Sequence, residues 1–199
     1  MAYSNFTLQQ LIKDFSLSLH EASDYFSDRP LGEPSPTLVG LLQENIDLAI
    51  AINTEKARSE MIIAPVLWDI RRQCKTPISL FSGSEFSIDP EKGLTGVCDF
   101  ILSKSSEQLL ISSPVVTLVE AKNENLKNGL AQCIAEMVAA QIFNEQENNP
   151  IPAIYGVVTS GTLWRFLQLI QTDVYIDLSE YHIKTELPTI LGILLHALE

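Results

Sequence analysis

The apolar positions of the chain change their period twice. In "TLQQLIKDFSLSLHE" they fall at Leu8, Leu11, Ile12, Phe15 and Leu19, which is helical spacing, with Thr7 placed to cap. This predicts a helix over residues 7–21. "RPLGEPSPT", residues 29–37, holds three prolines and a glycine and reads as a loop. From Leu38 to about Arg72 the helical period returns, at Leu38, Leu41, Leu42, Ile46, Leu48, Ala49 and Ile52. Pro65 lies inside that run and predicts a bend or break near residues 61–65.

Beyond Arg72 the texture becomes strand-like. "ISLFSGSEFSID", "GLTGVCDFILS" and "QLLISSPVVTLVEAK" are apolar segments separated by turn residues. "NLKNGLAQCIAEMVAAQIFNEQ", residues 125–146, predicts a long helix that stops before Asn148-Asn149-Pro150. "AIYGVVTS" reads as a buried strand. "LWRFLQLIQ" and "DVYIDLSEYHI" read as a strand pair joined around Gln171-Thr172-Asp173, and a last helix is predicted from about Leu187 to Leu198. This order predicts an α/β fold with a central mixed sheet flanked by helices. Residues 78–122 form an antiparallel meander, and 125–146 is the crossover of a right-handed βαβ unit. The division expected is an N-terminal helical segment and Pro-rich loop over 1–37, then one domain over 38–199. No internal repeat or low-complexity segment interrupts it.

Composition narrows the class. Of 199 residues, 46% are hydrophobic and 19% charged, which excludes disorder. Acidic residues outnumber basic ones 25 to 13, a formal charge of −12, which disfavours nucleic acid as a partner because phosphate affinity comes largely from Lys and Arg. Cys74, Cys98 and Cys133 have no metal spacing and no disulfide framework, and fit a core in a reduced compartment. His20, His182 and His196 fit no ligand or triad spacing. Trp68 and Trp164 read as packing anchors. With no signal-type N-terminus and no membrane-length apolar run, a cytoplasmic location is expected, without a membrane.

The candidate chemistry sits in "SPVVTLVEAKNEN", residues 113–125. A nearly continuous apolar run ends in Glu120 and Lys122. Strand alternation puts both on one face with Val116 and Leu118, and turns Val115, Val119 and Ala121 to the other. One strand earlier, Asp99 interrupts "GVCDFIL", sharing a face with Val97 and Ile101. A buried lone carboxylate costs several kcal/mol or takes up a proton. Two that converge repel unless a cation lies between them. A hard ion such as Mg²⁺ binds few carboxylates and keeps its waters, and a nearby lysine can orient one water for attack on phosphorus.

"GVCDF" followed by "LVEAKNEN" resembles the PD-(D/E)XK nuclease superfamily. Asp99 matches the motif's Asp, and Glu120-Ala121-Lys122 its Glu-x-Lys; Val97 and Cys98 stand where the motif's name has a proline. Glu60 in "KARSEMIIAPVLWDI" matches the Glu many members carry on the preceding helix, and Gln132 in "GLAQCIAEM" the Gln some carry on the following one. "VTSGTLWRFLQL" is similar to the strand–turn–strand of the type I restriction-subunit branch. The resemblance spans roughly residues 38–178. It implies a restriction-endonuclease-like three-layer αβα core, with N-terminal helices added. It further implies catalysis through Glu60, Asp99, Glu120, Lys122 and Gln132, with Mg²⁺ or Mn²⁺ on Asp99, Glu120 and Glu60.

Each residue also has a plain structural reading. Glu120 and Lys122 can be an ordinary pair at a strand end, Asp99 an edge-strand carboxylate, Glu60 a surface residue near Arg58, and Gln132 a polar rim beside Glu136 on a face of Ala135 and Ala139. Among the cations, Lys104, Lys122, Lys127 and Arg165 are expected near the site. Three functions stay open: metal-dependent hydrolysis of nucleic acid, a nuclease-like module that binds a protein partner or a second copy, and an enzyme of another phosphorylated substrate.

Overall fold

The computed structural model describes residues 2–123 and 125–199. Helix α1, Leu8–Phe15, opens with a capping box between Thr7 and Gln10 and closes at Ser16, which is left-handed at φ 53°. Strand β1, Ser18–Ala22, follows at once. The helix expected over 7–21 is therefore half that length. Leu17 and Leu19 alternate, and the left-handed Ser16 stops the helical turn before Leu19 can continue it.

Helix α2, Pro36–Ile52, has Ser35 as its cap and Pro36 in its first turn, and ends at left-handed Asn53. Thr54 caps the short α3, Glu55–Arg58. A π turn, Ser59–Ile63, leads into α4, Ala64–Gln73. The run expected to be divided near 61–65 is thus broken earlier, at Asn53-Thr54. The π turn lies just ahead of Pro65, whose missing N–H and bulky ring disturb the bonding of the preceding turn.

Strands β2, Ser79–Glu85, β3, Val97–Ser103, and β4, Val115–Ala121, form the expected antiparallel meander. Helix α5, Leu130–Gln146, crosses over to β5, Ile154–Thr159, which pairs parallel to β4. Then come β6, Leu163–Ile170, β7, Asp173–Asp177, the two-residue β8, Tyr181–His182, and α6, Ile183–Leu198. Helix α6 starts four residues before its expected position, with Glu186 off helical geometry ahead of Pro188.

The eight strands form one mixed, mostly antiparallel sheet in the order β1-β7-β6-β5-β4-β3-β2, with β8 on β6. Strand β1 completes one edge, parallel to β7. Helices cover both faces. Leu42, Ile46, Ile70 and Leu194 pack on one face with Val119, Val157 and Phe166. Ile134, Met137 and Ala140 of α5 pack on the other with Leu118, Val158 and Leu167. A bulge opposite Leu102 and Ser103 shifts the pairing of β4. It carries Val116 into the core opposite to Leu118, so Val116 does not share the Glu120 face as strict alternation predicts.

Trp164 is the packing anchor expected, fully buried with its indole N–H donated to Gly161 O at 2.9 Å. Trp68 is not: it is 45% exposed, with the Arg72 guanidinium over its ring. Cys98 and Cys133 are buried and Cys74 partly so, all free thiols. Among the described residues no helix is long and apolar enough to cross a membrane.

Candidate active site

The site lies where β4 ends. Glu120 is 1% exposed, in the last turn of pleat before Lys122 leaves the strand. Lys122 still donates its backbone N–H to Thr159 O at 2.8 Å, so its start direction is set by β5. Its ammonium pairs with Glu120 Oε1, which places both side chains on one side, as alternation predicts. Lys122 Nζ also approaches Gln132 Oε1 at 3.5 Å. Gln132 stands in the first turn of α5, which the crossover brings back over the sheet.

Asp99 meets this group from β3. Its Oδ2 accepts the backbone N–H of Ala121 at 2.8 Å. Asp99 also lines a cleft of about 290 Å³ together with Glu55 and Glu60. Glu60 is in the π turn, 63% exposed and paired with Lys56 at 3.2 Å. The structure therefore links Glu120, Lys122 and Gln132 through their side chains, sets Asp99 beside them on the Ala121 N–H, and puts Glu60 on the wall of the adjoining cleft.

Two acids that sequence reasoning passed over belong here. Glu136 is wholly buried on α5 and accepts Gln132 Nε2–H on Oε1 at 3.2 Å. It lies within hydrogen-bonding reach of Glu120. Its signal was a glutamate one turn after Gln132 on an alanine-rich helix face that packs on the sheet. Glu55, on the cleft wall, adds its charge to those acting on Glu120 and Lys122. Its position in the sequence has no distinguishing mark beyond the cap Thr54.

The electrostatics follow from burial. Desolvation, then the Asp99 charge, push the Glu120 carboxyl up to about 7, although Lys122 pulls the other way. Glu136 is driven well above its ordinary range, by burial first and Glu120 second. Burial and the neighbouring carboxyl both favour its neutral, protonated form. Burial lowers the Lys122 pKa, but Glu120, Glu55 and Asp99 outweigh it and the net shift is upward. Lys122 is thus an ammonium. Oε2 of Glu120 and Oε2 of Glu136 are buried and have no amide, ammonium or alcohol donor among the described residues.

The expected cations divide. Lys127 follows Lys122 in the turn before α5 and is exposed. Lys104 is bonded through its backbone to Pro114, at the start of β4 and so at the far end from Glu120. Arg165 is engaged with Glu180 at 2.7 Å. Among the described residues no three His, Cys, Asp or Glu side chains are gathered closely enough to hold a metal ion by themselves. No protein-family model matches the chain, and no curated protein matches it at a significant level.

Proposed function

We propose that the protein is a metal-dependent phosphodiesterase of the PD-(D/E)XK type, on a restriction-endonuclease-like fold, acting on nucleic acid. The observation that carries this reading is the Glu120–Lys122 pair at the end of β4, with Asp99 of the adjacent strand bonded to the Ala121 N–H between them. The donor chemistry fits a hard divalent cation, Mg²⁺ or Mn²⁺: the groups are oxygen ligands, and among the described residues buried Glu120 Oε2 has no amide, ammonium or alcohol donor. Asp99 and Glu120 would hold the ion, water would complete its shell, and Glu60 would reach in from the cleft wall. When bound, the ion polarises a phosphoryl oxygen and makes a water more acidic.

The rest is the work of the chain itself. The Ala121 N–H fixes one oxygen of Asp99. Glu120 holds the Lys122 ammonium beside the carboxylates, where its charge opposes the negative charge that grows on the phosphoryl oxygens. Gln132 steadies Lys122 from α5.

The test is a low-salt assay with Mg²⁺ and with Mn²⁺ on single-stranded, duplex and branched DNA and RNA. Lys122→Ala should lower cleavage about 100-fold or more. With few cations near the cleft, cleavage should also fall steeply as salt rises. Cleavage that survives both Lys122→Ala and Glu120→Ala overturns the assignment.

A second reading has its own observation. The outward side of α2 exposes Leu41, Leu48 and Ile52 by 38%, 50% and 48%. Their spacing makes one stripe, on a protein of charge −12. A nuclease-fold module that binds a protein partner would use such a face. Cation binding by wild type without cleavage of any substrate favours that reading.

A further inference from the structure

Glu136 is wholly buried, and none of the roles above uses it. Packing alone does not explain it. An apolar side chain of that volume would fill the space without taking a carboxyl out of water and setting it against another carboxyl. What the carboxyl does is visible in its bonds. Glu136 Oε1 accepts the Nε2–H of Gln132 at 3.2 Å. That bond decides which way the Gln132 amide faces. With its NH₂ turned to Glu136, Gln132 presents Oε1 to Lys122 Nζ, 3.5 Å away. The reverse orientation would point an N–H at an ammonium. The Glu136 carboxyl also reaches Glu120, whose other oxygen holds Lys122. Four side chains from β4, its exit and α5 close a ring.

We propose that Glu136 is the positioning residue of this site: it locks the Gln132 amide and backs Glu120, so that the Lys122 ammonium is held between them. The proposal rests on the reading of Glu120 and Lys122 as the working pair, and it concerns the geometry of Lys122, which can be measured without any cleavage.

The measurement is the Nζ resonance of Lys122 in protein labelled with ¹⁵N-lysine, assigned through Lys122→Arg. Glu136→Gln keeps an acceptor for Gln132 and offers an N–H to Glu120, so Lys122 should keep its wild-type shift and hydrogen exchange. Glu136→Leu keeps the volume and removes both contacts. Exchange at Lys122 should then quicken about tenfold, the loss of roughly one hydrogen bond. Equal exchange in Glu136→Leu and wild type overturns the proposal, and so does equal loss in the Gln and Leu variants. If Glu136→Leu does not fold, Gln132→Leu interrupts the same ring from its less buried side. Faster exchange there supports the proposal, and unchanged exchange overturns it. A wild type that cleaves nothing, while these shifts behave as described, removes the nuclease reading and leaves the positioning intact.

Discussion

The Asp99 carboxylate accepts the backbone N–H of Ala121 at 2.8 Å, the residue between Glu120 and Lys122. The backbone pairing of β3 with β4 runs only as far as Phe100 and Val119. Past that point a side chain continues what the ladder began. Asp99 therefore has a structural duty distinct from any cation. Asp99→Ala should strand a buried N–H and cost about 1–3 kcal/mol in urea unfolding. Asp99→Asn keeps an acceptor and should cost less than half of that, yet lose cation affinity in calorimetry because the charge is gone. Equal stability losses in the two variants would show that the bond to Ala121 is not what Asp99 contributes.

Gly129 controls Lys122 from the other side. A Cβ there would lie 2.6 Å from Val158 Cγ1 and 3.1 Å from Lys122 Cγ. The glycine lets the turn before α5 press against the lysine stem. Gly129→Ala should destabilise by about 1–3 kcal/mol through overpacking. It should also move Lys122, so that the ¹⁵N resonance shifts and any cleavage falls about tenfold or more. A variant that is destabilised with Lys122 unmoved would mean that Val158 yields and the lysine does not depend on this contact.

The parts of the fold legible in the sequence are those with one strong period over many residues. The meander and crossover were readable because the apolar runs of β3, β4 and β5 flank a long helix, α5. The error over 7–21 arose because Phe15 and Leu19 are four apart, as in a helix, while Leu17 and Leu19 are two apart, as in a strand. Only the left-handed Ser16 decides between them. The α2 pattern gave the helix but not its covered face. Leu41, Leu48 and Ile52 have helical spacing but lie on the outward side, because spacing fixes a face without saying which face is covered. At the site, Asp99, Glu120 and Lys122 were visible as charges within apolar strands. Glu136 was less so, since a glutamate in a helix is ordinary, and its burial depends on how close α5 sits to the sheet. Gly156 is the mark of that closeness: a Cβ there would meet Met137 Sδ at 2.4 Å.

The α2 stripe gives a prediction of its own. Leu48 is half exposed and Leu42, on the same helix, is 4% exposed. If the outward face is bare in the isolated chain, Leu48→Gln should change unfolding free energy by no more than about 0.5 kcal/mol. Leu42→Ala should cost about 2–5 kcal/mol. Urea unfolding at several protein concentrations, with sedimentation alongside, checks both. A loss above about 1 kcal/mol for Leu48→Gln that grows with concentration would mean that a second copy covers the stripe.

The two buried acids predict an unusual pH profile for the cation-free protein. Burial and the Asp99 charge raise Glu120 from 4.5 to about 7, and burial and Glu120 raise Glu136 well above its ordinary range. Between those values the folded chain holds protons that the unfolded chain has released. Stability from Glu120 is thus fully present below about pH 4.5 and is lost as pH rises through about 7, with Glu136 contributing a loss of the same sign. For Glu120 the difference is on the order of 3 kcal/mol. Lys122 titrates well above this window. In chelator, the urea midpoint should therefore fall from about pH 5 to about pH 8, opposite to a protein whose carboxylates are stabilised as anions. Glu120→Gln should flatten the fall, since an amide does not titrate. Added Mg²⁺ or Mn²⁺ should flatten it too, because an ion that binds the ionised carboxylate recovers at high pH what the lost proton gave up. A midpoint in chelator that rises over this range would show that the carboxyls are not held as acids in the fold.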